Sequence, residues 1–153
     1  MDDAAKTERM DAYRRICRDQ GLRITVQKRA ILEAVLDLDN HPTADQVYES
    51  VTRVVPDISR TTVYRTLEGF ARIGVITKAC HPGRSTRYDP RVELHHHLIC
   101  LYCDAVIDIT DTGLDALGIP DTSDHGFEVR DFRVQLRGIC RRCQEMDRKE
   151  KST

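Results

Sequence analysis

Two Cys-x-x-Cys pairs are the feature that most restricts how this chain can fold. Cys100 and Cys103 form the first pair, and Cys140 and Cys143 follow after 36 intervening residues. Two residues between cysteines let both thiolates reach one Zn²⁺, and two such pairs complete a closed tetrahedral site. Because four thiolates leave no coordination position open, the spacing predicts a structural zinc. Free buried thiols and a redox disulfide are the alternatives.

The composition is that of a small protein in a reducing compartment. The chain has 153 residues, 40% of them hydrophobic and 32% charged, which excludes a large multidomain enzyme. Its apolar runs are far shorter than the roughly 20 residues that span a bilayer. The first residues lack the apolar segment of a signal peptide, so we expect a cytoplasmic protein without a membrane partner.

The charge is unevenly distributed along the chain. The formal net charge is −1, yet residues 53–87 hold seven basic side chains and only two acidic ones. Such a basic segment can meet phosphate, whereas the more acidic second half is suited to binding cations.

The first half of the chain predicts four helices. A charged, weakly periodic surface helix is expected over residues 7–20, and an apolar stripe at helical spacing predicts a second over residues 25–38. Thr43 and Gln46 form a capping box that begins a third helix, which Pro56-Asp57 ends.

A fourth helix and a hairpin follow directly. Ser59 can cap the helix, and Gly74 is placed to terminate it. Residues 75–79 and 85–88 are β-type runs, and residues 81–84 between them have turn chemistry. A helix-turn-helix followed by such a hairpin is a winged helix.

Beyond this point the pattern changes to short strands. Strands are predicted over residues 97–100 and 105–109, and a third from residues 127–130 running on to Gly138, with a short helix near residues 111–118. We therefore predict an α+β protein of two domains. These are a winged helix-turn-helix DNA-binding domain at 1–88 and a small α/β dimerisation and metal-binding domain with the Cys₄ zinc site at 89–153.

Three consecutive histidines precede the first cysteine pair. Alternation along an extended segment places His95 and His97 on one face and His96 on the other. Imidazole and carboxylate ligands suit an exchangeable Fe²⁺ or Mn²⁺, and also Zn²⁺. Histidines at a surface or an interface are the alternative. The other candidate ligands for the same site are His41, Asp89 and Asp108.

The fourth predicted helix has an outer face that is typical of DNA recognition. Arginine can bind guanine edges or phosphate, and tyrosine and threonine can contact thymine methyl groups or the backbone. A solvated charged face is the alternative. Basic residues of the second helix and of the wing could bind phosphate and the minor groove. The candidate DNA-binding residues are Lys28, Arg29, Arg60, Thr61, Tyr64, Arg65, Arg84 and Arg87.

These motifs together resemble the ferric uptake regulator family of metal-sensing bacterial repressors, over nearly the whole chain. The resemblance implies a winged-helix domain, a C-terminal dimerisation domain, and a homodimer that binds an operator palindrome when a divalent metal is bound. It implies a transcriptional repressor and no enzymatic activity. The motifs are Gly21-Leu22-Arg23-Ile24-Thr25 with Lys28-Arg29, His41-Pro42-Thr43-Ala44, Thr62-Val63-Tyr64-Arg65-x-Leu67, His95-His96-His97-Leu98-Ile99-Cys100-x-x-Cys103 and Cys140-x-x-Cys143.

The resemblance also implies a regulatory Fe²⁺ or Mn²⁺ site that links the two domains. Aspartate at both Asp89 and Asp108 is similar to the peroxide-sensing branch of the family. That branch implies oxidation of a ligand imidazole, His95 or His97, when H₂O₂ meets bound Fe²⁺. The implied ligands are His41, Asp89, His95, His97 and Asp108.

A second, histidine-rich metal site of iron-uptake members is depleted in this chain. Leu94 and Asp131-Phe132 stand where the resemblance implies histidines, and His96 with Asp115 preserves at most a fragment.

Other functions remain open at the level of the sequence. Within the family, an iron-uptake or zinc-uptake repressor differs only in its inducer. A small metal-dependent enzyme could also use His and Asp ligands, but no positioned base or substrate pocket is recognisable. A zinc-ribbon interaction module explains the cysteines but not the basic segment. Cys17 and Cys80 lie outside the ligand pattern and are expected to be small core or surface residues.

Overall fold

A computed structural model of the chain describes residues 2–38, 41–79 and 86–150, with side chains up to residue 148. The chain divides into an N-terminal unit, Met1–Val92, and a C-terminal unit, Glu93–Thr153. This division lies slightly beyond the boundary expected from the sequence and places Asp89 in the N-terminal unit. No helix among the described residues combines the length and the apolar character that crossing a membrane requires.

Four helices form most of the N-terminal unit, and side chains close to each start explain where they begin. Thr25 and Ser59 accept hydrogen bonds from the backbone N–H groups of Lys28 and Thr62. Thr43 and Gln46 form the predicted capping box. The helices are α1 (Asp3–Asp19), α2 (Val26–Asp37), α3 (Ala44–Val51) and α4 (Arg60–Arg72).

Two of these helices differ from the prediction. α1 is longer than expected and buries Tyr13 and Cys17 in the core, where the Tyr13 ring meets Phe70 edge-on at 5.2 Å. Charged residues around these two positions weaken the apolar periodicity of this segment, so its buried face is not evident from the sequence. α3 ends at Val51, before Pro56, because its last carbonyls are used by a turn over residues 52–55.

The wing of the N-terminal unit consists of two short antiparallel strands, β1 (Thr77–Ala79) and β2 (Arg87–Asp89). Gly74 has a φ of 74°, which favours glycine and ends α4 as expected. The predicted turn at residues 81–84, together with Cys80, lies outside the described residues.

Glu68 of α4 holds both strands of the wing. Its carboxylate accepts a hydrogen bond from the Tyr88 hydroxyl at 3.0 Å. It also forms a hydrogen-bonded ion pair with the Lys78 ammonium at 2.7 Å. The bond from Lys78, supported by that from Tyr88, lowers the pKa of Glu68 despite some desolvation. Burial and the bond to Glu68 raise the pKa of Tyr88, so that the phenol remains a donor.

The C-terminal unit is built on a three-stranded sheet in the order β4-β3-β5. β3 (His96–Cys100) pairs antiparallel with β4 (Val106–Ile109) and parallel with β5 (Gln135–Gly138). The remaining elements are α5 (Thr112–Asp115), a 3₁₀ turn (Ser123–His125) and α6 (Arg141–Glu150).

Three features of this unit correct the sequence prediction. Residues 127–130 are not a strand, since pairing with β3 begins only at Gln135 and Phe127 remains 66% exposed. α5 is shorter than the helix expected near residues 111–118. α6 was not predicted, because its sequence RRCQEMDRKE lacks an apolar stripe.

We predict that Glu68→Gln destabilises the protein at neutral pH by about 1 kcal/mol or less, as expected for a side chain that is one-third exposed. A carboxyl group whose pKa is lowered on folding stabilises the fold above its unfolded pKa, and this stabilisation is lost as the pH falls through the folded pKa. The difference between wild type and variant should therefore shrink below a pH of about 4.5. Denaturant unfolding at several pH values measures it.

Glu49→Gln is a matched control, because Glu49 is an exposed carboxylate of α3 outside this network. A difference between Glu68→Gln and wild type that is independent of pH would contradict the role given to the Glu68 charge.

Candidate metal centres and nucleic-acid interface

The four cysteines of the paired motif come together in the C-terminal unit. Cys100 ends β3, Cys103 lies in the following turn, and Cys140 and Cys143 stand at the start of α6. Their Sγ atoms all lie within 4.8 Å of one another, and those of Cys103 and Cys140 are 3.7 Å apart. A tetrahedron with Zn–S bonds of about 2.3 Å has S···S edges of about 3.8 Å. The donor set therefore fits a structural Zn²⁺.

The backbone around Cys100 favours its thiolate form. The Cys140 N–H donates to Cys100 Sγ at 3.4 Å. Desolvation by burial raises the pKa of Cys100, but backbone N–H groups of Cys140, Cys103 and Tyr102 outweigh it and lower that pKa to about 6. At least one ligand is thus ready to bind a metal near neutral pH.

A second group of donors lies on one face of the same sheet. His97 on β3 is paired with Asp108 on β4, and His95 lies on the same side of the chain. The two imidazole Nε2 atoms are 3.1 Å apart, and each is 3.6 to 3.7 Å from Asp108 Oδ1. Both histidines are buried. The cluster offers nitrogen and oxygen donors without sulfur.

The contact made by the Nδ1 nitrogen of His95 fixes the tautomer of its ring. Its Nδ1 lies 2.7 Å from the carbonyl oxygen of Glu93, which can only accept a hydrogen bond. Nδ1 therefore carries a proton, and Nε2, which lies closest to His97 and Asp108, is the nitrogen that can bind a metal. This arrangement is typical of histidine metal ligands.

The N-terminal unit contains a smaller donor pair, His41 and Asp89. His41 Nε2 is 3.4 Å from Asp89 Oδ2, and both side chains are at least 95% buried. The His41 carbonyl accepts from the Arg87 guanidinium at 3.1 Å, and Asp89 Oδ1 accepts from the Arg91 N–H at 2.7 Å. His41 has a φ of 54°, a left-handed conformation that is costly for a side chain with a Cβ and that clusters at functional sites.

His96 lies apart from His95 and His97, as alternation along a strand requires. Its Nδ1 accepts from the Val134 N–H at 3.0 Å, so its Nε2 carries the proton and donates to Asp115 at 3.0 Å. The Phe132 ring covers the imidazole at 5.9 Å. Both nitrogens are therefore engaged by the protein.

The candidate DNA-binding residues fall into two groups. Thr61, Tyr64 and Arg65 are exposed on α4, as predicted. Arg60 is also exposed, and its guanidinium lies 4.4 Å above the Tyr48 ring and forms an ion pair with Asp45. Neither of these two partners was anticipated, because contacts between α3 and α4 leave no local pattern.

The other candidates already have protein partners. Lys28 donates to the Arg23 carbonyl at 3.0 Å, and Arg29 pairs with Glu33 at 3.2 Å. Arg87 is half-buried and donates to the carbonyl of His41. Arg84 lies outside the described residues.

The C-terminal unit also exposes a row of apolar side chains that sequence reasoning missed. Leu98, Ile107 and Leu136 occupy one register position across all three strands. They are 37%, 49% and 43% exposed, so this sheet face lacks an apolar cover among the described residues. Each of the three is an apolar residue within a predicted strand segment, which was the signal available in the sequence.

Comparison with known proteins gives concordant results. The profile of the ferric uptake regulator family matches residues 19–137. The peroxide-responsive repressor PerR of Staphylococcus aureus (strain Mu50 / ATCC 700699) is 32% identical over 128 residues, which are 84% of this chain and 86% of the relative.

Solved structures point the same way. A zinc-bound manganese uptake regulator is 31% identical with a TM-score of 0.64, covering 83% of this chain and 97% of its own. A ferric uptake regulator from Francisella tularensis with iron is 25% identical with a TM-score of 0.68. The match covers 81% of this chain and 96% of that structure's chain.

We predict that Cys103→Ser releases the zinc and destabilises the C-terminal unit by several kcal/mol, because a structural zinc site contributes its binding energy to folding. Metal analysis and thermal unfolding measure the two effects. Cys17→Ser, a cysteine of the N-terminal core, controls for the loss of a thiol and should retain the zinc. Equal zinc content in Cys103→Ser and wild type would contradict the assignment.

Proposed function

Because the chain belongs to the ferric uptake regulator family, and is therefore a metal-dependent transcriptional repressor and not an enzyme, we propose that it binds operator DNA as a homodimer when a divalent ion occupies one regulatory site. The observation that carries the proposal is the presence in both units of buried imidazoles with a neighbouring carboxylate, of which Asp89 is buried and Asp108 is one-quarter exposed. His41 and Asp89 lie together in the N-terminal unit, and His95, His97 and Asp108 lie together in the C-terminal unit.

We assign these five residues to one exchangeable site for Fe²⁺ or Mn²⁺. Nitrogen and oxygen donors without thiolate suit these ions, whereas the Cys₄ cluster suits a permanent zinc. Ligands from both units make the bound state favour one arrangement of the units over others. A decisive shift requires about 5.5 kcal/mol of differential affinity, which several coordination bonds can supply.

The N-terminal ligands are attached to the DNA-reading elements. Arg87 of the wing binds the backbone of His41, and Asp89 directly follows Tyr88, whose hydroxyl binds Glu68 of α4. A constraint on His41 and Asp89 is therefore transmitted to the wing and to α4 through hydrogen bonds within one unit.

α4 is the proposed recognition helix. Arg60, Thr61, Tyr64 and Arg65 form its exposed face and are assigned to the major groove. Lys28 and Arg29 at the start of α2 are assigned to the phosphate backbone, and Arg84 and Arg87 of the wing to the minor groove. The hydrogen bond from Arg87 to His41 leaves part of its guanidinium for that second role.

The apolar row Leu98, Ile107 and Leu136 is assigned to the homodimer interface. Burial of this row by a second copy removes apolar surface from water. A dimer presents two recognition helices and suits a palindromic operator. We place this regulator in the cytoplasm, where DNA is accessible and thiols stay reduced.

Peroxide is the proposed inducer. The PerR relative is described as peroxide-responsive, and both acidic ligands of this chain are aspartates. Iron(II), when bound, supplies the electron that reduces H₂O₂. His95 or His97 would then gain one oxygen atom of the peroxide at a ring carbon while the other oxygen leaves as water, and an oxidised ring is a poorer ligand. The Cys₄ thiolates are protected by their own metal.

A second candidate is a metal-uptake repressor that responds only to metal supply. The similarity to a manganese uptake regulator and to a ferric uptake regulator with iron supports this candidate about as well as the PerR relative supports a peroxide-responsive repressor. The two candidates share the fold and the site and differ in the response to peroxide.

The test measures DNA affinity of the zinc-containing protein with Fe²⁺, Mn²⁺ or added Zn²⁺, before and after H₂O₂. The DNA is a duplex selected from a random pool by the Mn²⁺ form. We expect peroxide to abolish tight binding of the Fe²⁺ form and to spare the Mn²⁺ form. Mass spectrometry should find one added oxygen atom on the peptide that contains His95 and His97. Modification confined to cysteine would refute the histidine sensor, and an insensitive Fe²⁺ form would establish the metal-uptake candidate.

We predict that His97→Ala lowers Mn²⁺ affinity by about 100-fold or more and removes metal-dependent DNA binding while the Cys₄ zinc is retained. Calorimetry and DNA titration measure the two affinities. His125→Ala, an exposed histidine outside both donor groups, is the matched control. Tyr64→Ala should show the reverse pattern, with normal Mn²⁺ affinity and weak DNA binding. Full metal response in His97→Ala would exclude this residue from the regulatory site.

A further inference from the structure

Arg60, at the start of the recognition helix, is held by two residues of the preceding helix. We propose that Asp45 and Tyr48 are positioning residues, which fix the Arg60 guanidinium so that it reads one base pair of each operator half-site instead of contacting phosphates non-specifically. This inference rests on the proposed function and extends it to residues that determine sequence specificity.

The contacts come from two directions. Asp45 and Tyr48 are three residues apart on α3 and therefore lie on one face of that helix. The Tyr48 ring supports the guanidinium from one side, with 4.4 Å between Cζ and the ring centroid. Asp45 Oδ1 accepts from Nη1 at the edge of the same group. A guanidinium group that is stacked on a ring and hydrogen-bonded at one edge has little freedom to rotate.

Two nitrogens of the Arg60 guanidinium remain available to bind a ligand. Within the part of the chain that the structure describes, Nη1 is the only guanidinium nitrogen of Arg60 with a hydrogen-bond partner. Nε and Nη2 form a second edge with two parallel N–H groups, which matches the O6 and N7 acceptors of guanine. Asp45 therefore occupies one edge and leaves the edge that suits a base.

The surroundings agree with a role in DNA reading. Arg60, Asp45 and Tyr48 border a surface cavity of about 460 Å³, which Thr61 and Tyr64 of the recognition face also line. The arginine is thus held beside the residues assigned to the major groove.

Stability does not explain this arrangement. The side chains of Arg60 and Asp45 are 61% and 75% exposed, and ion pairs between such exposed groups contribute little to folding. A carboxylate on a surface that meets phosphates also lowers affinity for any DNA. Asp45 would lower the affinity for all DNA and orient the arginine that contacts a base. Together these effects increase the difference in affinity between operator and non-operator sequences.

The experiment compares wild type with Asp45→Asn, both with Mn²⁺. The probes are the duplex selected by wild type, a scrambled duplex, and a set with each base pair replaced in turn. We expect the affinity of Asp45→Asn for the selected duplex to fall about tenfold. Affinity for the scrambled duplex should stay equal or rise, since a negative charge is lost. The lost discrimination should be confined to one base pair of each half-site, the same one that Arg60→Ala no longer distinguishes.

Three further variants make the result specific. Asp57→Asn removes the same charge from an exposed position of the turn before α4, and should keep wild-type discrimination. Tyr48→Leu should lose discrimination at the same base pair as Asp45→Asn. The double variant Asp45→Asn/Arg60→Ala should be no worse than Arg60→Ala alone, because the two residues act as one unit.

The outcomes separate the inference from the function on which it rests. If wild type selects a sequence but Asp45→Asn discriminates equally well, or loses affinity evenly at all positions, the positioning role is wrong. Additive effects in the double variant would also overturn it. A wild-type protein that enriches no sequence with Mn²⁺ would overturn the proposed function itself.

Discussion

The register of β3 decides which side chains of the C-terminal unit can bind metal. Pairing with β4 sets His97 opposite Asp108, and alternation brings His95 to the same face. The same strand ends at Cys100, where the parallel neighbour β5 leads to Cys140. A shift of one residue would exchange the two faces of β3 and separate the imidazoles from the carboxylate. One strand thus positions donors of the Cys₄ cluster and of the proposed regulatory site.

The two centres differ in what their donors allow. Four thiolates hold a zinc ion tightly and leave no open position. Imidazoles and carboxylates hold first-row divalent ions less firmly, so such an ion can follow its supply. A regulator needs the first kind of centre to keep its fold and the second kind to change state. Separate donor types within one sheet suit the structural role and the regulatory role that we propose for them.

Local signals explain why much of the fold was predictable. The hydroxyl groups of Thr25, Thr43 and Ser59 bind backbone N–H groups three residues away, so each helix start is encoded in a few neighbouring residues. The Cys₄ cluster was predictable for the same reason, because the spacing within each pair restricts its geometry.

Features that depend on distant parts of the chain were not predictable. Residues 127–130 alternate like a strand but lack a pairing partner, and α6 is helical despite its polar sequence. The ion pair of Asp45 with Arg60 joins residues fifteen positions apart and required the packing of α3 on α4. The candidate regulatory ligands rest on family resemblance and chemistry and stay a prediction, while the conformation of His41 needed the structure.

The hydrogen bonds of the N-terminal unit connect the proposed metal ligands His41 and Asp89 to α4 through β2. Tyr88 and Asp89 are consecutive residues of β2, and their side chains point to opposite sides of the strand. One side binds Glu68 of the recognition helix, and the other meets His41. Because the two residues are adjacent, a displacement of the β2 backbone moves both side chains together. The left-handed backbone of His41 is tied directly to this strand, because its carbonyl accepts the hydrogen bond from Arg87 of β2.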